Sequence, residues 1–164
     1  MVRYYSNMLH ASWLGWAAAG GVPWLWALLG TLHFFGTALL IGCVATIDLR
    51  MLGVARGLPV RPLQRLLPWG GLGFLLNLCT GVGLYAGNPR QYESLAFLLK
   101  MLCVVMAGLN GLLFYTSGLS RRLSPVDAGQ DVPMAAKLSA ITSLFFWFGV
   151  IFWGRMLSFL RDTF

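Results

Sequence analysis

The sequence predicts an all-α fold: a polytopic membrane four-helix bundle with a short N-terminal interfacial helix, forming one domain over residues 1–164. Three observations predict it. The chain is 58% hydrophobic and only 10% charged, whereas a soluble domain carries roughly 25% charged residues. Its apolar residues gather into four runs near the ~20 residues that a hydrocarbon core requires. Charged residues and prolines fall almost entirely between those runs. The formal net charge of +7 therefore points to loop orientation at a bilayer and not to nucleic acid.

The interfacial segment is residues 1–22. Tyr4, Tyr5, Trp13 and Trp16 are spaced among small residues, a composition that favours the headgroup level. His10 lies in this segment and reads as a solvated interfacial histidine. No uninterrupted apolar run of the kind found in secretory signals precedes the first span, so that span is expected to direct its own insertion. Gly20, Gly21 and Pro23 break the segment, and Pro23 suits the first turn of the helix that follows.

The first span, about 24–46, is 23 residues with no formal charge and one titratable group, His33. Asp48 and Arg50 are expected to return the chain to water. A basic loop with Arg56, Arg61 and Arg65 follows, where Pro59 and Pro62 should prevent helix. The second span, about 68–86, is rich in glycine, with Gly70, Gly71, Gly73, Gly81 and Gly83, which in lipid allow backbones to approach closely. Asn77 is its one strongly polar group. A short Asn88–Pro89 turn leads to the third span, about 94–116, carrying Lys100 and Asn110. The polar loop holding Arg121, Arg122, Asp127 and Asp131 precedes the fourth span, about 135–159, with Lys137 at its start and Arg155 near its end. Seven Lys and Arg flank the two longer loops and four flank the opposite side, so both termini are expected outside.

At ~1.5 Å per residue, His33 and Asn77 each lie ~14 Å below the outer boundary and Lys100 lies ~9 Å below it. Arg155 is about one turn inside. The strongest polar groups of the four spans thus share a layer. An imidazole in hydrocarbon is expensive unless satisfied, which makes His33 the leading functional residue. Each group also has a plainer role: snorkelling for Lys100 and Arg155, interhelical hydrogen bonding for Asn77 and Asn110, and a Thr or carbonyl partner for His33.

A neutral imidazole in a bundle is a good axial ligand for haem iron, so b-type haem is the expected cofactor and His33 the expected metal ligand. Gly30 and Gly36 flank His33 and should leave room for a ring. Phe34, Phe35, Trp26 and Trp153 would wall the slot, and Lys100, Arg90 and Arg155 would meet the propionates. Candidate second ligands are Lys100, Met101, Met156, His10 or a His33 from a second copy. Copper is an alternative, with soft Met and Cys donors, but the chain has no CxxC or MxxM near His33, and Cys43, Cys79 and Cys103 read as core residues. A proton-shuttling role is a third chemistry, for which no carboxylate is expected within the spans. A non-catalytic accessory or assembly subunit is the reading from a different class. The small-residue pairs Ala38/Gly42 and Ala107/Gly111 allow a homodimer or a larger complex, or equally close the bundle internally.

The segments TLHFFGTALLIG, IDLRMLG, TGVGLY, NPRQYESLAFLLKMLCVVMAGLNGLLFY and SLFFWFGVIFWGRMLSF carry a resemblance. From about Pro23 to Phe159 the chain resembles a family of bacterial four-helix membrane proteins with no assigned activity. More distantly, a helix-one histidine with a helix-three lysine is similar to two groups. These are the bacterial four-helix, haem-binding protoporphyrinogen oxidases and the CopD-type copper-resistance membrane proteins. The resemblance implies a bacterial inner-membrane location, His33 as haem or metal ligand, and Lys100 as the second essential group.

Overall fold

A computed structural model describes residues 7–54, 56–89, 94–123 and 126–159, with the side chain of Ser158 undescribed. Its described residues contain seven α-helices and no strands. These are α1 (Trp13–Trp16), α2 (Leu25–Leu52), α3 (Val60–Leu63), α4 (Leu67–Gly87), α5 (Leu95–Thr116), α6 (Leu119–Leu123) and α7 (Met134–Phe159). Four helices are long and apolar enough to cross a membrane: α2, the α3–α4 stretch, α5 and α7. The expected spans 68–86, 94–116 and 135–159 match α4, α5 and α7 to within a residue at each end. Ser94 caps α5 by accepting from Phe97 N, which satisfies one of the donors a helix start leaves open.

The first span departs from expectation at both ends. Pro23 stands before the N-cap, Trp24, whose φ of 72° is left-handed, so the proline sets up the turn into the helix and not its first turn. At the other end α2 continues six residues beyond 46. Asp48 and Arg50, expected to meet water, are buried at 4% and 1% exposure. Gly53, with φ 93°, ends the helix, and its N–H reaches back to Arg50 O and Leu49 O. A side chain would resist that left-handed turn.

The four spans associate as two tight antiparallel pairs, α2 with α4 and α5 with α7, joined mainly by α2 against α7. The α2–α4 crossing is a glycine contact. A Cβ on Gly73 would lie 2.7 Å from Gly36 O and Leu40 N, and one on Gly36 would lie 2.9 Å from Gly73 O. Contacts of Leu29 with Gly83 and of Cys43 with Gly70 continue the same register. Close packing of this kind substitutes for the hydrophobic drive that lipid does not supply. Asn110 and Ser139 tie α5 to α7: Asn110 Nδ2 donates to Ser139 O at 3.0 Å and Ser139 Oγ donates back to Asn110 Oδ1 at 3.3 Å.

The end of the bundle where the two longer loops meet is closed by a cap. Ile47, Met51, Val60, Leu123, Val132, Ala136 and Ala140 form one buried apolar cluster there. Both loops contribute short helix. Pro62, expected to prevent helix, lies within α3, and Pro59 precedes it as N-cap; in a first turn the missing N–H of proline costs nothing. Arg50 clamps the cap. Its guanidinium donates to Leu58 O, Asp127 O and Gln130 O, in keeping with a cation in the last turn of a helix. Val60 N to Val126 O and Gly129 N to Arg56 O bind loop to loop.

At the opposite end the N-terminal segment folds onto α4. Ala17 and Ala18 are buried, and Ala18 packs against Gly87. Trp13 and Trp16 are exposed, as expected of an interfacial element. His10 is not simply solvated: its Nδ1–H donates to Ala86 O at 2.9 Å, one of the carbonyls that the end of α4 leaves without a helical partner. Tyr4 and Tyr5 lie outside the described residues.

Candidate functional site

His33 sits eight residues into α2, ~12 Å along its axis, on the face turned to α4. There its ring meets Gly81, where a Cβ would lie 3.6 Å from Cε1, and its Nδ1 is 2.9 Å from Thr80 Oγ1. The hydrogen of that hydroxyl is already committed to α4's own carbonyls, Leu76 O at 2.7 Å and Asn77 O at 3.3 Å. With its single proton so used, Thr80 Oγ1 can only accept. With Thr80 so engaged, His33 Nδ1–H donates to Oγ1, a tautomer that would leave the Nε2 lone pair open; no hydrogen bond engages Nε2 among the described residues. One nitrogen fixed by a partner while the other is free is the arrangement that orients an imidazole toward a metal.

The backbone beneath the ring is fixed as well. Thr37 Oγ1 donates to His33 O at 2.8 Å. The Asn77 amide satisfies both its ends when its nitrogen faces His33 O at 2.6 Å and its oxygen faces Thr37 N at 3.0 Å. Asn77 is thus a latch between α4 and α2 at the histidine's own peptide groups.

Lys100 reaches inward. Its stem lies along α7 at Gly154, whose Cβ position is 3.7 Å from Cε and 3.9 Å from Nζ, and its charge is within Coulombic reach of His33. Of the four residues expected to form the layer, His33, Lys100 and Asn77 converge. Arg155 is exposed on α7. Arg90 lies outside the described residues.

The expected slot differs in shape. Gly36 does not leave room beside His33, because the α4 backbone and Asn77 fill that side. Gly30, one turn in the other direction, has nothing within 4 Å of its Cβ position. Phe34 and Phe35 point outward, at 69% and 60% exposure, and Trp26 packs on Gly87. The helices α4 and α5, consecutive in sequence, scarcely touch, meeting at the rings of Tyr85 and Phe97. Of the cysteines, Cys43 is buried at Gly70, Cys103 packs against Gly149 and Cys79 faces outward. Among the described residues no three His, Cys, Asp or Glu converge on a metal position.

The Thr partner expected for His33 is Thr80, though its bearing on the tautomer was not foreseen, and the burial of Asp48 was not foreseen either. The pairing was detectable: His33 and Thr80 fall at matching depths on antiparallel spans. The burial was hidden by reading a charged residue near a span's end as the span's end. No family model, curated protein or solved structure matches this chain.

Proposed function

We propose that this multi-pass protein resides in a bacterial inner membrane with both termini outside, and that it binds a b-type haem through His33 Nε2. The observation that carries this reading is the 2.9 Å contact of His33 Nδ1 with Thr80 Oγ1, with no hydrogen bond to Nε2 among the described residues; a proton on Nδ1 leaves the Nε2 lone pair for a metal. Among the described residues His33 would hold the iron, and the Lys100 amine, within Coulombic reach of that histidine, would serve as a further ligand or a propionate partner. The seam between α4 and α5, where few residues meet, would admit the ring. A haem held there supplies one-electron chemistry to the membrane phase. The chain's own contribution is to hold the imidazole, fix its proton on Nδ1 and keep water away.

The experiment is an absorption spectrum of the detergent-purified protein expressed with ample haem. A Soret band in the wild type and in Asn110→Ala, lost in His33→Ala, is expected. A colourless wild type would end the haem reading, and stoichiometric copper in that colourless protein would replace it with copper handling.

A second reading, an accessory subunit that packs against another copy or a larger complex, is favoured by Ala38 and Gly42. Both lie on the outward face of α2, with nothing within 4 Å of the Gly42 Cβ position. By contrast Ala107 is already buried within the bundle. A colourless, metal-free protein that crosslinks through Cys introduced at Ala38 would support it.

A further inference from the structure

The spans do contain a carboxylate, contrary to the sequence expectation. Asp48 lies four residues before the end of α2 and is 4% exposed. Its Oδ2 is the one buried side-chain nitrogen or oxygen without a hydrogen-bond partner among the described residues. The polar side chain beside the carboxyl is that of Ser143 of α7, itself buried, and Tyr115 of α5 is within Coulombic reach. Among the described residues no cation pairs with it. Arg50, two residues along α2, spends its donors on the cap carbonyls of Leu58, Asp127 and Gln130. Lys137 on α7 is bonded to Asp131 at 2.7 Å. Arg56 faces Asp131 as well, at 4.0 Å, and Arg61 and Arg65 beside α4 are exposed.

A carboxylate in this setting would present a full charge to apolar neighbours with one oxygen unanswered, whereas the neutral acid presents only an O–H and a carbonyl. We infer that Asp48 and Ser143 form a proton-binding site at the capped end of the bundle, occupied by one proton at neutral pH. The Asp48 O–H bond breaks only when water reaches the carboxyl through the cap. The proton then passes to that water, and Ser143 Oγ–H donates to the carboxylate left behind. The site lies 15 residues from His33 along one helix, ~22 Å, and does not rest on the haem reading.

The chain has four aspartates, Asp48, Asp127, Asp131 and Asp162, so carbon-13 labelling of the aspartate carboxyl groups isolates the question. In detergent micelles at neutral pH, one of the four resonances should have the chemical shift of a protonated acid, and Asp48→Asn should remove it. Four carboxylate resonances in the wild type would overturn the proposal, including the case in which one of them moves with added sodium or potassium. A protonated resonance that survives in Asp48→Asn would overturn it too. The wild-type spectrum alone decides if that variant fails to fold.

Discussion

At the scale of single residues the molecule turns on where protons are already spent. Thr80 has one hydrogen and a carbonyl, Leu76 O, at 2.7 Å to receive it, which favours a proton on Nδ1 of the histidine it faces. Thr80→Val keeps the shape of the side chain and removes the acceptor. The loss of one membrane hydrogen bond should cost about 1 kcal/mol of stability, within the range seen for such bonds. If His33 carries a ligand, the loss of its orienting partner should weaken ligand retention by about tenfold or more. Thermal unfolding in detergent measures the first, and ligand dissociation from the same preparation measures the second. A variant with unchanged retention would show that Thr80 serves only as helix glue. That His33 would need a partner inside the bundle was legible, because hydrocarbon makes any imidazole conspicuous. Its tautomer was not, since that depends on the direction of a hydroxyl on another helix.

At the scale of elements, the pairing of α2 with α4 depends on two glycines whose backbones touch. Gly73→Leu would force a side chain into the carbonyl of Gly36 and should cost about 3 kcal/mol or more, at the upper end of overpacking penalties. Gly42→Leu, on the same helix pair but over open space, should leave the monomer's stability nearly unchanged. Unfolding of the two variants in mixed micelles makes the comparison, and equal losses would contradict the crossing described above. The glycine content of the second span announced close approach in general terms. Which glycines were used could not be read, because Gly71 faces outward while Gly73 one turn-fraction away is buried. The length of α2 was misread for a related reason. A charge near the end of an apolar run usually marks the water boundary, but here loop carbonyls and Ser143 receive Arg50 and Asp48 inside the protein.

Across the whole molecule, buried apolar packing is concentrated at one end. The cap joins both longer loops to the bundle, and its polar centre is Arg50. Arg50→Met should keep most of the stem's packing but free three carbonyls and the loops they belong to. With hydrogen bonds to a charged donor contributing about 1.5–3 kcal/mol each, a loss of at least ~3 kcal/mol is expected. Protease cleavage in the loops around Leu58 and Gly129 should appear well before the spans unfold. Simultaneous loss of cap and spans would instead mean that the cap is inseparable from the bundle. Four spans were legible from composition alone, but the cap was not. It is made by contacts between loops 60 to 80 residues apart, such as Arg50 with Gln130, and no local pattern encodes these.

The division into two helix pairs has a consequence for traffic. With the loop end plugged and α4 and α5 in little contact beyond Tyr85 and Phe97, a guest that reached His33 between them would come sideways through the acyl chains. A guest that favours oil over water would be concentrated by the bilayer before it met the imidazole, while a water-soluble one of equal intrinsic affinity would be excluded. Selection would thus begin in the lipid, ahead of any contact with protein.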